Sequence, residues 1–259
     1  MNEQQIREDL KTLKTYRGHQ ITLEELKPNQ QTETYLRNLA GQGTPERYSV
    51  VSHVDRRKKR PFSYVKMDKA GGVCISMLLR PVLRAERCGL ITSMAALAIA
   101  KTVEHHSDAE IKIRWVGDVL CGHKCIGAAK AEGAIRGNGF FEHLILTVQI
   151  ATPSSIFRER LSDTLQEVFG GKPYSLEASI CESFLVEFFD LYEDLNGRGS
   201  HLDEYRSHSS LLGCIAHIRR GRKSIPVKVK AINQNAQLVV AEKGSDTEIL
   251  LNSPSEIIW

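Results

Sequence analysis

GVCISMLLRP, residues 72–81, followed by ERCGLITSMAALAIAKTVEHH, residues 86–106, sets the fold class. The first run is short and apolar, and it stops at Pro81, which has no backbone N–H to continue a ladder. The second run is long enough for more than five helical turns. It is apolar on nearly every side, so it predicts a helix packed deep against a sheet rather than one lying on a surface. A buried strand followed by a helix that needs cover all round predicts an α/β build.

Working outward toward the N-terminus, YSVVSHV (48–54) predicts a second strand and QQTETYLRNLAGQG (30–43) a helix ended by its glycines. ITLEEL (21–26) alternates like a strand, and residues 4–16 have helical spacing and predict a short leading helix. There is no room there for a helix-turn-helix module, so no DNA-binding domain is expected. Toward the C-terminus, IKIRWVGDVLC and HKCIGAAKA predict a strand pair around a turn at Gly122 and His123. A Gly/Asn-rich connector at 133–139 leads to a further strand at 140–151. Two amphipathic helices, 156–170 and 176–195, follow. From Leu211 onward short alternating runs separated by Gly and Asn turns replace helices, which places a domain boundary near residue 209.

The 259 residues suffice for one sizeable α/β domain and a small appendage. Hydrophobic residues at 41% and charged residues at 25% are ordinary for a globular chain, and a net charge of +4 selects no partner class. No apolar run is long enough to cross a bilayer, and the polar start MNEQQIREDLK is unlike a signal peptide. The six cysteines sit in apolar segments without a CxxC pair, as expected of reduced thiols in a cytoplasmic protein. Cys121, His123 and Cys125 are close in sequence, but their spacing and number do not suit a zinc site, and no metal is expected.

This order of elements resembles biotin–protein ligases of the type without an N-terminal DNA-binding domain, from about residue 20 to the end. GVCISMLLRP with GLITSMAALAIAKTVE resembles that family's core strand and helix, and IKIRWVGDVLCGHKCIG resembles its Lys-Trp-Pro-Asn-Asp segment running on to a catalytic lysine. LDEYRSHSSLLGCIAHI and AINQNAQLVVAEKG resemble the linker and the β-barrel tail. The resemblance implies a mixed β-sheet backed by helices of class II synthetase-like type in residues 1–208, and a small SH3-like β-barrel domain in 209–259. It implies ATP with magnesium, biotin, a biotinyl-adenylate intermediate and transfer to a lysine of a carrier domain. It also implies dimerisation through an exposed sheet face.

The ligand-facing segments depart from that pattern. The family's glycine-rich basic loop is here DRRKKR, residues 55–60, with no glycine between Gly43 and Gly71. A non-glycine residue held in the left-handed region costs about 1–2 kcal/mol. Arg56, Arg57 and Arg60 either reach phosphates from a differently shaped loop, bind an acidic partner or nucleic acid, or are simply solvated. Arg114, Trp115 and Asp118 keep a cation, an aromatic and an acid, while Val116 and Gly117 replace the central Pro-Asn. Trp115 has a plain core reading and Asp118 a turn reading beside the nucleotide-binding one.

Thr32, in Gln31-Thr32-Glu33, is the one hydroxyl left of a Ser-Thr-Asn segment that faces a ureido ring. One turn deletion puts Lys124 on the catalytic lysine and Gly127 on the glycine after it, whereas a gapless reading puts Cys125 in the lysine's place. Side chains alternate along a strand, so the two readings place Lys124 on opposite faces. ILTVQI (145–150) replaces a Gly-Ile-Gly-Ile-Asn-Val strand; its bulkier side chains, Leu146 and Val148 among them, either narrow or plug the pocket or, as the better reading, simply make a core strand. Two functions are expected from this pattern: a biotin–protein ligase with altered activity, or a non-catalytic relative that binds a carrier domain or a partner ligase.

Overall fold

The computed structural model describes residues 13–16, 19–28, 30–54, 72–152, 176–196, 201–221, 223–242, 244 and 247–258. Arg56, Arg57 and Arg60 and the helix expected at 156–170 lie outside the described residues.

An eight-stranded mixed sheet forms the body, in the order β1-β2-β3-β4-β8-β7-β6-β5. Its strands are β1 Leu13–Tyr16, β2 His19–Glu25, β3 Tyr48–Val54 and β4 Gly72–Leu79. The other four are β5 Ile111–Arg114, β6 Asp118–Cys121, β7 Lys124–Ile135 and β8 Phe141–Ala151. The β2–β3 pair is parallel and all the other neighbours are antiparallel. The helices are α1 Thr32–Ala40, α2 Gly89–His106, α3 Leu176–Glu193 and α4 His201–Ser207. Among the described residues no helix is long and apolar enough to cross a membrane.

The two faces of the sheet are chemically unlike. On β4 the odd residues Val73, Ile75, Met77 and Leu79 join the main core with α2 and α3, as do the even β8 residues Leu144, Leu146, Val148 and Ile150. Every residue of α2 from Leu90 to Ala100 is buried, as the sequence predicts for a helix with no polar face. Each large apolar side chain buried there contributes about 1.5–3 kcal/mol. On the opposite face α1 presents Thr32, Leu36 and Ala40, spaced four apart, and packs on Val50, Leu78 and Ile145.

Three expectations change. Leu13–Tyr16 is a strand rather than the end of a leading helix, because β2 offers it an edge of unpaired backbone groups. The segment expected as one strand over 111–121 breaks at Trp115–Gly117 into β5 and β6. The glycine-rich connector expected from 133 is still strand, since β7 runs on to Ile135. Gly133 permits close strand approach: a Cβ there would lie 2.3 Å from the His143 carbonyl oxygen.

A second, five-stranded antiparallel sheet, ordered β12-β11-β10-β9-β13, is formed within residues 215–258. It contains β9 Ile215–Arg220, β10 Lys223–Ile232, β11 Leu238–Glu242, β12 Glu248–Leu251 and β13 Ile257–Ile258. The β10–β11 turn docks on the first sheet. Trp115 Nε1 donates to the Ala236 carbonyl at 2.7 Å, and Arg87 Nε donates to Asn235 Oδ1 at 3.2 Å. The buried cluster is continuous across both sheets.

Candidate ligand site on the α1 face of the sheet

Strand pairing lines up one row of residues across the face that carries α1: Ser52, Cys74, Gln149, Ala128, Asp118 and Arg114, each the cross-strand partner of the next. The neighbouring row is Val50, Ser76, Thr147 and Lys130. The strands β3 to β8 therefore bring together polar groups that are far apart in sequence. Thr32, at the start of α1, closes one end of this surface.

The Thr32 hydroxyl is fully buried and lies 2.7 Å from Ser76 Oγ and 3.3 Å from Cys74 Sγ, while Ser76 Oγ is 2.9 Å from Thr147 Oγ1. Burial pushes the Cys74 thiol up to about 12, offset in part by Thr32 and Gln149. Gln149 is 2% exposed, and among the described residues neither its Nε2 nor its Oε1 makes a hydrogen bond of ordinary geometry. A buried amide without partners costs about 1–3 kcal/mol for each unmet group, which singles out this carboxamide among the polar groups of the face.

At the other end Arg114 donates to Asp118 Oδ2 from Nε at 3.1 Å and from Nη2 at 2.5 Å. Both side chains are about one-third exposed. Arg114 is thus a positioned cation next to the row, held by the acid that follows it in β6.

The β6–β7 hairpin decides which of its residues face this row. Asp118 pairs with Ala128 and Val119 with Gly127, but Leu120 pairs with Cys125 and Cys121 with Lys124. Ile126 is therefore an extra residue, a bulge that changes the pleat. Cys125 shares the face of Asp118 and Leu120, and burial followed by the Asp118 charge pushes its thiol up to about 11. Lys124 is exposed at the turn, on the side of Cys121, which packs against the main core. Cys121 and Cys125 point to opposite faces, so the LCGHKC segment does not converge on one ion.

Two residues singled out in the sequence have packing roles. Gly127 faces α2, where a Cβ would lie 2.7 Å from Ile99 Cγ2, so it lets the strand approach the helix and does not face the row. Trp115 is 2% exposed and spends its indole N–H on Ala236. The turn it begins is held from three sides, since Val116 O accepts from Tyr205 Oη at 3.0 Å and Gly117 O accepts from Ala129 N at 2.9 Å. A side chain at Gly117 would lie 2.3 Å from the Ala129 carbonyl oxygen, so no asparagine fits there.

The core reading of the 145–150 strand holds for two of its residues. Leu146 and Val148 face the helices, whereas Ile145 and Thr147 stand on the ligand face. Sequence reading missed Gln149 as a site residue, although the unbroken apolar run around it signals a polar group that must find a partner.

No family model matches the sequence. Two curated relatives do, both called bifunctional ligase/repressor BirA. The one from Bacillus subtilis (strain 168) is 30% identical over 129 residues, 49% of this chain and 38% of the relative. The one from Bacillus spizizenii is 28% identical over 202 residues, 77% of this chain and 61% of the relative. The chain thus spans less than two-thirds of either relative. Among solved structures, biotin protein ligase from Aquifex aeolicus superposes with a TM-score of 0.62 at 15% identity, covering 91% of this chain and 96% of that one. A biotin protein ligase-like protein of unknown function from Silicibacter sp. TM1040 gives 0.63 at 12% identity, covering 90% and 94%. The Leishmania major ligase in complex with biotin gives 0.52 at 16% identity, covering 89% and 98%. The fold is that of the biotin protein ligases.

Proposed function

We propose that this chain is a biotin protein ligase-type protein that binds a biotin-like acyl group and ATP on the sheet face that carries α1 and forms an acyl-adenylate there. The observation that carries the reading is the buried Gln149 amide, which beside its contact with the Cys74 thiol makes no hydrogen bond of ordinary geometry among the described residues, in the row that ends at Arg114. Its Nε2–H groups and Oε1 match a cyclic urea, which presents one carbonyl and two N–H groups. The solved relatives described as bound to biotin and ATP have this fold, and both curated relatives are called ligases.

In this reading the acyl carboxylate attacks the α-phosphorus of ATP, and the bond to pyrophosphate breaks. A lysine amine of a carrier domain then attacks the acyl carbonyl and AMP leaves. The developing charge needs fixed cations. Arg114 supplies one, and Arg56, Arg57 and Arg60 are the candidates for the phosphates. Lys124 lies at the hairpin turn and reaches this chemistry only if the turn rearranges. Cys125 stands on the face instead and offers no positive charge, so slow adenylation is expected.

That substitution also favours a second reading, a non-catalytic relative that binds a carrier domain or a partner ligase. Calorimetry with biotin, ATP and a non-hydrolysable biotinyl-adenylate analogue separates the two. Micromolar or tighter binding of the analogue supports the ligase reading, and no heat with any of the three removes it.

A further inference from the structure

The second sheet carries a concentration of positive charge that the ligase reading does not use. Residues 211–241 contain six Lys and Arg and no Asp or Glu, while the other 228 residues hold 29 Lys and Arg against 31 Asp and Glu. The whole excess of positive charge therefore lies in this one stretch. His217, Arg219, Arg220, Lys223, Lys228 and Lys230 are all exposed, alternating with buried Ala216, Ile218, Val227 and Val229.

The end of this hairpin stands clear of its sheet. β11 pairs with β10 only from Val227 onward, and β13 pairs with β9 only at His217 and Ile218. Arg219 pairs with Ser224 and Arg220 with Lys223, with no third strand beside them among the described residues. Gly221, at φ +60°, lies in the turn. Because faces alternate, Arg219 projects to one side of the ribbon and Arg220 with Lys223 to the other. Arg220 is paired with Glu242 at 2.7 Å; Arg219, Lys223, Lys228 and Lys230 have no acidic partner among the described residues.

We propose that this free two-stranded ribbon is a docking element for B-form duplex DNA. Cations on both sides of a narrow ribbon suit a groove whose two walls are phosphate, and the major groove is wide enough to admit such a ribbon. A flat acidic protein surface or a bilayer would be met by one side only. The narrow major groove of duplex RNA does not admit the ribbon. No exposed aromatic residue alternates with the charges, which removes the stacking that single strands need. From Lys223 to the docked turn after Ile232 β10 extends roughly 30 Å at about 3.3 Å per residue, so the tip lies at the far end of its strand from the contact with the first sheet. Contact is with phosphates, hence sequence-independent and steeply salt-dependent.

The test uses the full chain and a fluorescent duplex of about 20 base pairs, with anisotropy read at several salt concentrations. Micromolar binding is expected, with the logarithm of affinity falling linearly with the logarithm of salt. Arg219→Ala with Lys223→Ala should lower that slope by about 2 and weaken binding at least tenfold, with an unchanged thermal midpoint. Arg136→Ala removes an exposed arginine elsewhere and should change neither. The proposal is overturned by no binding at low salt, by equal losses in Arg136→Ala, or by a double variant that binds like the parent. It is also overturned, in favour of an acidic protein partner, if poly-glutamate of equal charge competes as well as DNA. None of these readouts depends on biotin or ATP binding.

Discussion

Trp115 donates its indole N–H to the Ala236 carbonyl at 2.7 Å, so the segment that sequence comparison points to for nucleotide binding fastens the two sheets together. The indole is buried and the acceptor sits in the β10–β11 turn. Trp115→Phe keeps the ring packing but leaves that buried carbonyl unmet, at a cost of about 1–3 kcal/mol. Urea unfolding should report this loss, while Arg87→Ala, which removes only an exposed bond to Asn235, should stay within about 0.5 kcal/mol. A Trp115→Phe protein as stable as the parent would remove the clasp role.

Gly117 makes a related prediction in the opposite direction. Restoring the asparagine of the ligase pattern by Gly117→Asn forces a side chain into the Ala129 carbonyl and the Thr92 methyl. Overpacking of this kind costs about 1–3 kcal/mol, so the variant should melt several degrees lower and gain no affinity for ATP. Tighter ATP binding by this variant would mean that the turn moves to make room.

The strand 72–79 and helix 89–106 were legible because their burial follows from local pattern alone: an apolar run with no polar face has nowhere to go but inside. The candidate face was legible only in part: the places of Thr32 at a helix start and of Arg114 and Asp118 beside a short turn follow from local pattern. The side on which Lys124 and Cys125 lie could not be read, because one extra residue at Ile126 inverts the alternation and nothing in CIGA announces a bulge. The core reading of strand 145–150 holds for Leu146 and Val148, while Ile145 and Thr147 on the other face were not singled out. The exchange of Trp115 from ligand to clasp needed a partner 121 residues away.

A buried histidine and a half-buried glutamate give the fold opposing pH dependences. His201, with Nε2 3.0 Å from Ser93 Oγ, has its pKa lowered to about 4 by burial, with Asp194 opposing and Arg206 adding to the shift. The unfolded chain therefore binds a proton between pH 6.5 and about 4 that the folded chain refuses. Its contribution is intact above 6.5 and is lost as pH falls, at up to about 1.4 kcal/mol per unit. Burial raises Glu182 to about 7, so the folded chain keeps a proton that the unfolded chain has released above pH 4.5. Stability from this group falls as pH rises to 7. Glu182→Gln should therefore stabilise the fold at pH 8 relative to pH 4.5, and His201→Gln should flatten the acid limb. Urea midpoints against pH check both, and parallel curves for parent and variants would refute the assignment.

Cys125 gives the sharpest test of the site, because the register puts it and not Lys124 on the face of Asp118. Cys125→Lys places an ammonium next to the row, where a charge-assisted hydrogen bond to an adenylate contributes about 1.5–3 kcal/mol. Binding of the non-hydrolysable biotinyl-adenylate analogue should tighten about tenfold to a hundredfold, and pyrophosphate exchange should rise with it. Lys124→Ala should leave both within about twofold, since its side chain is exposed at the turn on the other side. The reverse outcome, a large loss in Lys124→Ala with no gain in Cys125→Lys, would mean that the hairpin slips by one residue when ligand binds. Binding that is absent in the parent and appears only in Cys125→Lys would identify the missing cation as what keeps this fold from acting as a ligase.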